Sequence, residues 1–115
     1  MLGAIFWLTG DAASAAREMR AVIGIRPADT EAYRQLGTAL EQLRDFDGAM
    51  AALKEAIRLD PDDPAPHVTL GRILRAKGDI EGGKAELAEA ARLRAKAEQN
   101  KLEMLKRGMG GGRTR

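Results

Sequence analysis

Apolar residues recur along this chain at two spacings, one short and one long. At the short spacing they stand three or four residues apart. Tyr33, Leu36, Gly37, Leu40 and Leu43 share one face of a helix, and Phe46, Ala49, Met50, Leu53, Ala56 and Ile57 share the inner face of a second. Between the two runs lies Arg-Asp-Phe-Asp-Gly, a break supplied with Asp residues suited to capping. The pair closes at Leu59-Asp60-Pro61-Asp62-Asp63. Pro61 has no amide hydrogen to donate and disfavours helix in the residue before it. The pattern therefore predicts a helical hairpin over 30–63.

The long spacing is 34 residues. Leu2-Gly3, Leu36-Gly37 and Leu70-Gly71 keep it, as do Asp11, Asp45 and Asp79, and Pro27 and Pro61. Met19, Leu53 and Leu87 share the step with Ile25, Leu59 and Leu93. A fixed period of this length marks a stacked-repeat protein, in which each hairpin leaves an apolar face for its neighbour to cover.

The unit 30–63 resembles the tetratricopeptide repeat (TPR), a family with about 34 residues per helix-turn-helix. Its pattern is met by Tyr33, Leu36, Gly37, Leu40, Ala49, Leu53, Ala56 and Pro61. The next unit, 64–95, offers His67, Leu70, Gly71, Leu74, Leu87 and Ala90, with Gly83 in place of an alanine and Ala95 in place of the proline. The first unit, 1–29, lacks its first five positions but supplies Leu2, Gly3, Phe6, Ala15, Met19, Val22 and Pro27. The resemblance implies an all-α, right-handed solenoid of about three hairpins, the first with a shortened leading helix.

The ends depart from the pattern. With no proline at 95, the helix begun near Ile80 either runs on to about Arg107 or folds back near 97–100 as a cap. The continuous helix is favoured, since nothing before Gly108 breaks it. Residues 96–107 form its basic extension, and 108–115 (GMGGGRTR) read as a flexible tail. Leu102, Met104 and Leu105 call for burial in either case, and Leu2 and Phe6 open an uncovered apolar face, so self-association of copies is a second expectation.

Charge sharpens this division. Residues 1–91 hold 11 Lys and Arg against 15 Asp and Glu, and residues 92–115 hold 8 against 2. The repeats are acidic and the C-terminal segment basic. No aromatic residue accompanies that segment, which disfavours nucleic acid as a partner. The start, with its apolar run and Ala13-Ser14-Ala15, has the look of a secretion signal. No basic residue precedes the run, however, and it stays in register with the repeats. No stretch reaches the roughly 20 apolar residues of a membrane span, and a cytoplasmic location is expected.

Chemistry has little to work with. The chain has one serine, Ser14, one histidine, His67, and no cysteine, which disfavours nucleophilic catalysis and thiolate metal sites. His67 takes a bulky packing position. Asp60, Asp62 and Asp63 lack the spacing of a calcium loop. No cofactor, metal or small-molecule substrate is expected.

The TPR resemblance implies instead a concave groove lined by the first helix of each hairpin. Carried over, its residues are Glu31, Arg34, Thr38, Glu41 and Gln42 in the complete unit, then Ala65, Val68, Arg72, Arg75 and Ala76. Ala4, Trp7 and Leu8 belong to the first unit. The resemblance implies a non-enzymatic module that binds a protein or peptide. Arg34, Arg72 and Arg75 would meet acidic groups, and Trp7 an apolar side chain. The arrangement that clamps a chaperone's C-terminal carboxylate is absent, with Gln35 and Thr69 at positions where that subtype carries other residues. The chain also reads as an accessory region of a larger enzyme.

Overall fold

The computed structural model describes residues 2–113, with side chains over 11–108, and five helices follow one another along them. These are α1 (Leu2–Ile25), α2 (Thr30–Gln42), α3 (Phe46–Leu59), α4 (Ala65–Ala76) and α5 (Ile80–Arg113). Short Asp-bearing turns separate them. Asp29 accepts a hydrogen bond from the Ala32 amide at 3.0 Å, Asp45 from Gly48 at 3.1 Å and Asp79 from Gly82 at 2.9 Å. Each Asp thereby satisfies an amide that a helix start leaves without a partner.

Helices α2 and α3 form the hairpin expected over 30–63, and α4 with the start of α5 forms the next. The core runs between them: Leu36, Ala39, Leu40, Ala49, Ala52, Leu53, Leu70 and Ile73 are buried, with Ala16 of α1 joining them. Tyr33, Leu43, Phe46, Met50 and Ile57 pack around it. Chain neighbours pack on each other, and α2 also touches α4, so the hairpins stack in sequence order. The radius of gyration is 17.9 Å, against about 13 Å for a compact domain of this size. The stack is elongated, as a solenoid with a projecting helix must be.

Close helix approach has a specific cause. A Cβ placed on Gly37 would fall 2.6 Å from Cγ of Leu53, which is itself only 1% exposed. In the second hairpin the backbones themselves come close. A Cβ on Gly83 would lie 2.9 Å from the Gly71 carbonyl oxygen and 2.6 Å from Cγ of Arg75. Glycine at 83 in place of the pattern's alanine therefore fits the contact it makes.

The two ends differ from the expected layout. Instead of a shortened helix followed by a second, α1 runs unbroken through Gly10 and Asp11. A continuous helix keeps every backbone hydrogen bond that a turn there would break. At the other end α5 is continuous, as favoured, but extends past Arg107 to Arg113, so that 108–113 are helical rather than a tail. Glycine there lowers helix propensity without blocking it. Because α4 ends at Ala76, nothing covers the second half of α5. Leu102, Met104 and Leu105, expected to be buried, stand 55%, 70% and 55% exposed. Leu2 and Phe6 lie outside the described side chains.

Gly37→Ala is expected to lower stability by about 1–3 kcal/mol, because the added Cβ would lie within 2.7 Å of two carbon atoms of the buried Leu53 side chain. Gly24→Ala, where a Cβ meets nothing within 4 Å, is expected to raise it by up to about 1 kcal/mol. Urea denaturation followed by circular dichroism measures both.

Candidate functional site

The face that α2 turns away from α3 carries Glu31, Arg34, Gln35, Thr38 and Gln42, three or four residues apart. Together with Ala15 of α1 and Ala39 they line a cleft of about 350 Å³. Ala39 is buried in its floor and Gln35 stands on the exposed rim. A smaller hollow of about 50 Å³ sits where Arg34 and Thr38 meet Leu53, Ala65, Pro66 and Thr69. The larger of these two hollows lies between α1 and α2.

Most of its charges are already paired. Arg72 donates from Nε to Glu41 Oε2 at 2.8 Å and from Nη2 to Oε1 at 2.7 Å, a two-pronged bond between α4 and α2. That bond raises the Arg72 pKa above its ordinary value. Arg34 pairs with Glu31 on its own helix and, through Nε at 3.3 Å, with Asp63 of the following turn. Gln35 donates to Glu31 at 2.8 Å, and the Thr38 hydroxyl donates to the Arg34 carbonyl at 3.2 Å. Arg75 is exposed and makes no ion pair among the described residues. Of three arginines expected to face acidic partners, two face carboxylates of their own chain. Trp7, with Ala4 and Leu8, lies outside the described side chains.

The acidic turn also has structural work. Asp63 accepts from the Ala65 amide at 3.0 Å besides meeting Arg34, and Asp62 meets Lys96 at 3.3 Å. The pairing of Asp63 with Arg34 was missed, since it bridges 29 residues and no local spacing reveals it. Gln35 and Ala39 were missed as well. Their signal was available: they alternate with Arg34 and Thr38 on the same helical face. His67 packs as expected, with Nδ1 2.7 Å from Glu86 Oε1 across α4 and α5. Among the described residues no group of His, Cys, Asp and Glu is placed to hold a metal. No described helix is long and apolar enough to cross a membrane.

Two models described as tetratricopeptide repeat match the chain, over residues 1–64 and 40–103. The chain belongs to the tetratricopeptide repeat family. Solved TPR structures agree on the helical solenoid. MamA from Desulfovibrio magneticus is 26% identical with a TM-score of 0.70, over 75% of this chain and 49% of that one. SycD, a type III secretion translocator chaperone of Yersinia enterocolitica solved as an alternative dimer, is 21% identical with a TM-score of 0.74, over 93% and 83%. An O-GlcNAc transferase of Thermobaculum terrenum is 29% identical with a TM-score of 0.66, over 82% of this chain but 20% of its own. The chain spans about half the length of the MamA chains it matches. No curated protein matches it in sequence. A TPR fold is typically a non-catalytic module for protein interaction.

Glu41→Gln removes the carboxylate that holds Arg72. Stability is expected to fall by no more than about 1 kcal/mol, the worth of a partly exposed pair. Urea denaturation at low and high salt measures it, and added salt should shrink the difference from wild type.

Proposed function

We propose that this TPR chain is a non-enzymatic scaffold that holds a peptide or protein segment in its concave groove. The cleft of Ala15, Gln35, Thr38, Ala39 and Gln42 carries this reading. Its alanine floor admits an apolar side chain, and the two glutamine amides on its rim both donate to and accept from a peptide backbone. Acidic groups on the ligand bind at the Arg75 end. Arg34 and Arg72 are pre-oriented by their carboxylate partners and present only their remaining N–H groups. The favoured ligand is therefore weakly charged, with apolar and amide-bearing residues ahead of a single acidic group. Gln35→Trp fills the cleft. Peptides selected from a random library on the wild-type chain are expected to bind it at least ~10-fold more weakly, as loss of a central contact commonly does. Isothermal titration measures the change. Selected peptides that bind both proteins alike would show that the cleft is not the site.

A second reading, self-association, is favoured by one observation. Leu53 on α3 is 1% exposed, whereas its repeat counterpart Leu87 on α5 is 37% exposed. Helix α5 thus presents the face that α3 buries, and Ala91, Ala95, Leu102 and Leu105 continue it. A second copy of α5, antiparallel to the first, suits this face. Arg94 and Glu98 make no ion pair among the described residues and stand one turn apart. A two-fold axis near Ala95 sets each against its opposite in the other copy. Sedimentation velocity over a range of concentrations is expected to show dimers. Glu98→Arg should weaken them, and Glu98→Arg with Arg94→Glu should restore them. A monomer at every concentration rules the reading out.

A further inference from the structure

The two hollows flank α2, and Arg34 and Thr38 line both of them. The smaller one exists because two side chains are short. It is lined by Thr38 and Ala65, with Thr69, Leu53 and Pro66 around them. One repeat after Thr38 stands Arg72, and one repeat before Ala65 stands Glu31. Where neighbouring units carry long side chains, this step of the stack carries a hydroxyl and a methyl. The space is therefore particular to the junction of α2 with α4.

Its walls are firm. Leu53 and Pro66 are fully buried and Thr69 is 8% exposed. Two ion pairs join α2 to the chain across the hollow. Arg34 reaches Asp63, in the turn ahead of α4, at 3.3 Å, and Glu41 receives both prongs of Arg72 from α4. Arg34 lies about one turn before Thr38, and Glu41 about one turn after it. The Thr38 and Thr69 hydroxyls donate to carbonyls of their own helices, at 3.2 Å and 3.5 Å. Neither hydroxyl has a second hydrogen to offer a guest, so the hollow favours an apolar one. A dry cavity of roughly 150 Å³ accepts benzene. On that scale the hollow of about 50 Å³ takes an alanine or valine side chain, and the cleft of about 350 Å³ takes leucine or an aromatic ring.

Spacing selects the backbone of the guest. The hollows lie on opposite sides of one helix, so their centres stand about one helix-to-helix distance apart, roughly 8–10 Å. In a β-strand, side chains on one face recur every second residue, roughly 6.5–7 Å. In polyproline II they recur every third residue, roughly 9.3 Å, which matches. A polyproline II segment makes no internal hydrogen bonds. Its carbonyls accept from the Gln35 and Gln42 amides and from the remaining N–H groups of Arg34 and Arg72. Arg75, near the end of α4, makes no ion pair among the described residues and complements an acidic side chain.

We propose that the groove reads a polyproline II segment by size. A large apolar side chain enters the cleft, a small one three residues away enters the Thr38–Thr69 hollow, and an acidic residue beyond it meets Arg75. This rests on the groove reading given above and names the ligand that the groove takes.

Peptides selected from a random library on the wild-type chain are the probe, and isothermal titration is the measurement. One selected peptide is remade with glycine, alanine, valine, leucine or phenylalanine at the small position. Alanine or valine should bind best, with leucine and phenylalanine at least ~10-fold weaker, as overpacking commonly costs. Ala65→Leu fills the hollow and should reverse the preference, so that the glycine peptide binds the variant more tightly than the valine peptide. Proline at both intervening positions should hold or raise affinity, because it presets the backbone. Binders that Gln35→Trp weakens but that accept any side chain at the small position overturn this proposal and keep the groove reading. So do binders whose small residue stands two positions from the large one, or that lose ~10-fold on the proline substitutions. Binders indifferent to Gln35→Trp, or a library with no binder, overturn both.

Discussion

The crossing of Leu53 over Gly37 sets the geometry on which the rest of the molecule depends. With no Cβ on Gly37, α2 and α3 approach until the leucine side chain rests on backbone. That distance fixes the width of the hairpin, and the width decides where α4 packs on α3 and α2. The concave face is what remains of α2 and α4 once their inner faces are committed to these contacts. A larger residue at the crossing would spread the hairpin and displace every groove residue at once, although none of them touches the glycine. The same logic recurs at Gly71 and Gly83, where two backbones meet directly.

Charge plays a different part. Arg72 with Glu41, Arg34 with Asp63, Lys77 with Asp47, Lys96 with Asp62 and His67 with Glu86 each join different helices or a helix to a turn. Pairs at this exposure contribute little individually. Their geometry matters more, since each forms only where the stacking brings its two partners together. The acidic excess of the repeats is thus partly used to align them. The face that results is close to neutral, because Arg34 and Arg72 are set against Glu31, Asp63 and Glu41.

The regular middle of the molecule was legible because its signals are local. Leu36, Leu40, Leu53 and Leu70 lie at helical spacing, Pro61 and the capping Asp residues punctuate them, and the 34-residue step ties them together. The continuous α5 was legible for a related reason, the absence of a proline at 95. What could not be read was pairing at long separation. Nothing near Arg72 in the sequence announces Glu41, 31 residues away. Nor does local spacing tell that a turn sequence at Gly10–Asp11 passes through as helix. That outcome depends on whether a short leading helix buries enough surface to offset the bonds a turn breaks, and no motif encodes such a balance.

Both ends of the solenoid show the same compromise. A repeat hairpin needs a neighbour on each side, and the terminal units have one. A long single helix satisfies its own backbone without a neighbour, and α1 and α5 are both of this kind. It does so by leaving side chains uncovered: the described half-exposed leucines of α5 and the open cleft beside α1 are two forms of one deficit. Backbone hydrogen bonding is then kept along the helix while apolar burial is incomplete. Further burial at either end requires a surface from elsewhere, and an interaction module is organised in that way. The interior repeats bury their apolar faces against neighbours on both sides, and the described part of α5 beyond α4 has no such cover.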